Sequence, residues 1–160
     1  MKKFSKVLLA SSLLTIAATS PAFAGGAKIT GGAERISTGS VIFSMTVNAI
    51  DTAKGVKGSI QYSREAQGST PELFVHAKSE CFWISSDGLQ AVVAGPAEVQ
   101  SGIQDDVWFF AAIREGGTGY GDLVRAKFVG QLAGEALCKN GETSFPALVE
   151  EGEFKIRPAD

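Results

Sequence analysis

"SVIFSMTVNAIDTAKGVKGSIQYSRE", residues 40–65, alternates twice in succession. In its first half Val41, Phe43, Met45, Val47 and Ala49 fall on one face, with Thr46 and Asn48 on the other. "TAKG" interrupts the run. In the second half Val56, Gly58, Ile60 and Tyr62 face one way, and Lys57, Ser59, Gln61 and Ser63 the other. A period of two with one apolar face marks a half-buried strand, and two such runs joined by a short polar loop mark an antiparallel hairpin. The reading of this hairpin sets the reading of the rest.

The same alternation recurs to the C-terminus. "AQGSTP" is a loop, with Gly68 and Pro71 as breakers. "ELFVHAKSECFWI" resumes with Leu73, Val75 and Ala77 on one face. Asp87-Gly88 sits between that run and "LQAVVAGPAEVQ", a strong hairpin signal. "VWFFAAIRE" carries Val107, Phe109, Ala111 and Ile113 on one face and Trp108, Phe110 and Ala112 on the other. A strand apolar on both faces is central, or has its outer face covered. "LVRAKFVGQLAGEALC" fits two periods. As a strand it puts Val124, Ala126 and Phe128 inward; as a helix it makes a stripe of Val124, Phe128 and Leu132. Gly130 and Gly134 lower helix propensity, so a strand from Leu123 to Gln131 is expected. Phe154 and Ile156 belong to a closing strand. Turn signals every dozen residues or so, with no obvious long amphipathic helix, predict an all-β fold: one antiparallel sandwich or barrel of about eight strands. The inward glycines Gly58 and Gly95 are expected at bends or close approaches.

The N-terminus follows a different logic. "MKKFSKVLLASSLLTIAATSPAFA" has Lys2, Lys3 and Lys6, an apolar run from Val7 to Ala18, a break at Pro21 and small residues at Ala22 and Ala24. This is the pattern of a secretory signal over residues 1–24, leaving one domain at 25–160. The apolar run is shorter than the roughly 20 residues a spanning helix needs. Three of the 15 basic residues and none of the 17 acidic ones lie in it, so the mature chain carries 12 against 17, a net charge of −5. That argues against a nucleic-acid binder, which needs a basic footprint, and against electrostatic docking on anionic lipid. Cys81 and Cys138 are the two cysteines. In an exported chain they are expected to pair, and without a nearby His they do not form a zinc framework. The expected location is the periplasm or the extracellular space.

Few residues offer chemistry. His76 is the one histidine and lies in an alternating run, which points it at solvent or a polar face. No G-x-S-x-G or H-E-x-x-H motif is present. "GGTGYGD" has the glycines of a phosphate loop without its Lys-Ser/Thr and reads as a turn. Asp105, Asp106, Glu115 and Asp122 lie at turns flanking one strand pair. They are the weak candidates for a calcium site through oxygen ligands, or for an acid pair, although no D-x-D-x-D-G spacing is present. Phe82, Trp83, Trp108 and Phe110 are the candidate partner or ligand surface, provided that they face solvent. Core packing is the competing reading.

The motifs "GSVIFSMTVNAID", "GVKGSIQYSRE", "ECFWISSDGLQAVVAGPAEV", "REGGTGYGD" and "EGEFKIRP", in that order, resemble a family of small exported bacterial β-domains of post-COAP type. The shared positions are Gly55, Val56, Gly58 and Tyr62, then Cys81 with Gly88, Ala91 and Gly95. Glu115-Gly116 through Gly121-Asp122 and the late Cys138 complete the set. "REGGTGY" stands where an Asp-Asn-Gly turn is commoner in the family. The resemblance implies a secreted, disulfide-bonded all-β domain and carries no activity.

The expected function is therefore a non-catalytic binding or structural module of the cell envelope or extracellular space, with no cofactor and no catalytic residue. Its partner would be a protein, a glycan or a small apolar ligand. A lipocalin-like carrier is the first alternative and requires a cavity among Phe43, Met45, Ile60, Tyr62, Phe109 and Ile113. A secreted enzyme inhibitor acting through the turn from Gly116 to Asp122 is the second.

Overall fold

The computed structural model describes residues 26–99, 107–117 and 120–159. The expected signal at 1–24 and the acidic pair Asp105 and Asp106 lie outside the described residues.

The strands are β1 (Lys28–Thr38), β2 (Val41–Thr52), β3 (Gly55–Arg64), β4 (Leu73–Lys78), β5 (Cys81–Ile84), β6 (Gln90–Val99), β7 (Val107–Arg114), β8 (Leu123–Gly130) and β9 (Ala147–Arg157). One helix, α1 (Gln131–Asn140), separates β8 from β9. The strands form a single antiparallel sheet in the order β4-β3-β2-β1-β9-β8-β7-β6-β5, and a further β4–β6 pairing closes it into a ring. Of the two architectures left open by the alternation, the structure adopts the barrel. The β2–β3 hairpin expected from the sequence pairs from Ser44–Ser63 to Thr52–Gly55.

β4 and β5 together make one wall. β4 lies opposite Ala97–Val99 of β6, and β5 opposite Ala94 to Ala91 of the same strand. At the break between them the Ser79 N–H donates to Gly58 O at 3.0 Å, while the Glu80 N–H donates to Ala94 O at 2.9 Å. The chain thus changes partner within two residues. A Cβ on Gly95 would stand 1.7 Å from Lys78 O, so only glycine lets β6 pass over this bend.

β1 was not legible as a strand, and its pairing with β9 closes the other side of the ring. Its inward residues are Ile29, Ala33 and Ile36. A bulge between Ala33 and Ile36 shifts the phase by one, which breaks the alternation that a period-two reading needs. β9 shifts phase in the same region, burying Ala147 and Val149 and then Phe154 and Ile156.

The barrel interior is packed with side chains, as expected for a ring of about eight strands. An aromatic file crosses it. Ring centroids are 5.0 Å apart for Phe43–Tyr62, 5.3 Å for Tyr62–Phe109 and 5.1 Å for Phe109–Phe128. All six residues that a carrier would have to hold apart are buried in this core. Burial pushes the Tyr62 hydroxyl pKa up, partly offset by the nearby Arg64 guanidinium.

A second apolar cluster lies on the outside of the wall. Val92 and Ala94 of β6 and Trp108, Phe110 and Ala112 of β7 face away from the interior and are covered by α1 and the segment after it. The double-sided apolarity of β7 has this cause. The expected strand from about Leu123 to Gln131 ends one residue earlier, at Gly130, and the chain continues as a helix despite Gly134.

Candidate binding surface

Helix α1 is seated by two glycines on two tryptophans. A Cβ on Gly134 would lie 2.7 Å from the Trp108 ring, and one on Gly141 would lie 2.6 Å from the Trp83 ring. Gly141 also ends the helix, with φ 76° and its N–H donating to Leu137 O at 2.8 Å. Gly134 lowers intrinsic helicity, yet its missing side chain lets the helix approach the indole. Cys138 bonds to Cys81 with a Cα–Cα distance of 5.9 Å, tying α1 to the start of β5. The expected pairing of the two cysteines is found.

This arrangement corrects the reading of the aromatic quartet as a free surface. Phe82 points into the barrel and packs on its interior. Trp108 is 6 % exposed and Phe110 is 0 % exposed, both beneath α1. Trp83 is half-buried in the same outer cluster. The alternation placed Trp108 and Phe110 on the outer face correctly, but the sequence did not show that a helix covers that face. Iodide should therefore leave Trp108 emission almost unquenched in a Trp83→Phe variant of the oxidised protein. Quenching close to that of free tryptophan in a Stern–Volmer titration would contradict the seating of α1.

The acidic candidates at the β7–β8 turn hold backbone donors. The Asp122 carboxylate accepts the Gly116 N–H at 2.9 Å through Oδ1 and the Phe154 N–H at 2.8 Å through Oδ2. Glu115 Oε1 accepts the Ile156 N–H. The cause is a gap in the barrel wall. Among the described residues β8 pairs with β9 only at Leu123–Leu148 and Val124–Ala147, so the farther reach of β9, paired with β1 on one edge, has no strand on its other edge. The two carboxylates serve the donors that a neighbouring strand would have served. Among the described residues no group of three or more His, Cys, Asp or Glu is placed to hold a metal ion.

His76 is exposed on the outer face of β4, as its alternation required. At the β5–β6 hairpin the Ser85 hydroxyl, and then the Leu89 N–H, hydrogen-bond Asp87 and hold its carboxyl below the usual range.

One end of the barrel exposes large apolar side chains together. Tyr120 is 82 % exposed, Leu89 45 % and Leu148 46 %. They border a depression of about 310 Å³ that is also lined by Arg114, Glu115, Gly116, Gly117, Gly121 and Leu123. Asp122 fixes the turn that carries Tyr120, and the Val149 N–H donates to Asp122 O at 2.9 Å to join that turn to β9. The sequence offered one signal for this surface: a tyrosine placed inside a glycine-rich turn. Leu89 and Leu148 come beside it only through the β6–β7 and β8–β9 pairings.

Among the described residues no helix is long and apolar enough to cross a membrane. Compared with models of protein families, with curated proteins and with solved structures, the chain matches none.

Proposed function

We propose that this chain is an exported, non-catalytic binding module, one of the small bacterial β-domains that it resembles in its glycine and turn positions. It acts in the periplasm or outside the cell by docking a partner protein on the Leu89–Tyr120–Leu148 end of the barrel. The observation that carries this reading is the exposure of those three apolar side chains around one depression. Clustered exposed apolar surface is costly in water and marks contact sites. Tyrosine adds a large contact area with few rotamers to freeze. A disulfide suits an oxidising compartment.

The packed interior favours docking over carriage of an apolar ligand. An inhibitor acting through the turn from Gly116 to Asp122 would use the same surface, since Tyr120 lies in that turn.

The reading is tested by placing a photo-crosslinking phenylalanine analogue at Tyr120 in producing cells, with Lys57 on the outside of β3 as the control position. A discrete adduct from position 120, absent from position 57, is the expected outcome. Equal labelling from both positions, or none from either, would remove the end surface as the contact. A native mass spectrum of the mature protein separates the carrier alternative. A bare oxidised chain is expected; an added mass lost on denaturation would favour carriage.

A further inference from the structure

A groove larger than the depression at the Tyr120 end lies on the side of the barrel, away from that end. It is an open furrow of about 640 Å³ across β2, β3, β4 and the end of β6. Register aligns its side chains. Thr46 pairs with Gln61, Gln61 with His76, and His76 with Glu98, so four polar residues stand in one row across four strands. All four are exposed. In the adjacent row Ser63 lies opposite Phe74, whose ring is 43 % exposed.

We infer that this furrow is a binding site for a neutral oligosaccharide. The inference goes beyond the docking surface proposed above and does not depend on it. Three properties select the ligand class. First, the row offers both donors and acceptors through a hydroxyl, an amide, an imidazole and a carboxylate. A polyhydroxylated ligand, itself both donor and acceptor at every position, can satisfy such a mixed set. Second, a single exposed phenyl ring flanked by polar groups suits a ligand with one apolar face, such as the C–H face of a pyranose. Third, neighbouring strands are about 4.8 Å apart, so the row spans about 14 Å. That step is close to the length of one sugar unit, and the row accommodates a short glycan chain laid across the strands.

The other occupants fit less well. Thr46, Gln61 and His76 each have a paired strand on both sides, so an extended peptide finds no free edge to extend there. Glu98 and the acidic balance of the chain oppose nucleic acid. One phenyl ring among exposed polar residues is too little apolar surface to enter a lipid surface.

The test is calorimetric titration of the oxidised mature protein with cellotetraose, maltotetraose and N-acetylchitotetraose, each to millimolar concentration. At least one should bind. Phe74→Ala should weaken that binding about ten-fold, the order of one lost stacking contact. Phe74→Tyr should restore it, which separates a lost ring from a damaged fold. Gln61→Ala should also weaken it, and Tyr120→Ala should leave it unchanged. No heat from any of the three sugars would overturn the inference. So would wild-type affinity in Phe74→Ala, or loss of binding in Tyr120→Ala. Neither outcome bears on the photo-crosslinking result.

Discussion

The double variant Cys81→Ser/Cys138→Ser should lose about 4 kcal/mol of stability by the chain-entropy argument, within a usual range of about 2–5 kcal/mol. For a chain of this size the corresponding fall in melting temperature is on the order of 10 °C. The damage should be uneven. The disulfide anchors α1, and α1 covers an outer cluster that is separate from the barrel interior. Apart from that bond the helix is held by the seating of Gly134 and by Leu137 on the outer cluster: its N-cap Gly130 makes no side-chain cap, Leu132 is exposed, and Gly134 is its one fully buried residue. A helix of about ten residues is marginal in water without tertiary support. The variant should therefore keep the far-ultraviolet signature of the barrel while its tryptophan emission moves to the red and becomes open to iodide. Thermal melts followed by circular dichroism, with quenching titrations alongside, check both parts. An unchanged melting temperature together with unchanged quenching would mean that α1 is held by packing alone.

Asp122→Asn should destabilise the protein by about 2–3 kcal/mol, although it changes neither shape nor volume appreciably. The carboxylate presents two acceptor oxygens to two backbone donors, Gly116 N–H and Phe154 N–H. An amide presents one oxygen and one NH2 group. Whichever way the amide is turned, one N–H faces another donor. One charge-assisted hydrogen bond is lost and its donor left unpaired in a half-buried site, which accounts for the magnitude. Glu115→Gln is the contrasting case. Glu115 uses a single oxygen, on the Ile156 N–H, and an amide can still supply that acceptor. Its cost should be about 1 kcal/mol or less. Chemical denaturation of the two variants separates the roles. A catalytic or cation-binding Asp122 would instead tolerate the Asn substitution with little change in stability, and equal midpoints for wild type and Asp122→Asn would reopen that reading.

The turn from Gly116 to Asp122 shows where sequence reasoning stops. Four acids near one strand pair suggested a hard-cation site. In the structure the two that are described bond with the unpaired edge of β9. Nothing local to Glu115 or Asp122 announces that edge. It exists because β8 begins only at Leu123, opposite Leu148, so β9 beyond Val149 runs past the start of β8 and alongside the turn. The aromatic residues teach a similar lesson. Alternation assigns Trp108 and Phe110 to the face opposite Phe109, and that assignment holds. Whether the outer face meets water depends on α1, which binds it through contacts at Gly134, Cys138 and Gly141 that are distant in sequence from β7.

The all-β class, the β2–β3 hairpin, the Asp87-Gly88 turn, the outward His76 and the Cys81–Cys138 pairing follow from the sequence alone. Each rests on a local period, a turn residue or a count of two, and local terms are enough to decide them. β1, the helix and the closure of the ring were decided by tertiary structure. The bulge in β1 shifts its phase, so its three buried residues keep no period that a window can detect. α1 has a glycine at its centre and glycines at both ends, and the Trp108 ring against Gly134 and the Trp83 ring against Gly141 are what leave no room for a side chain at those two. The ring closes through β4–β6 and β1–β9, pairings between segments that no local pattern links. Both candidate binding surfaces belong to this second group, because each is assembled from several strands and exists only once the ring has closed.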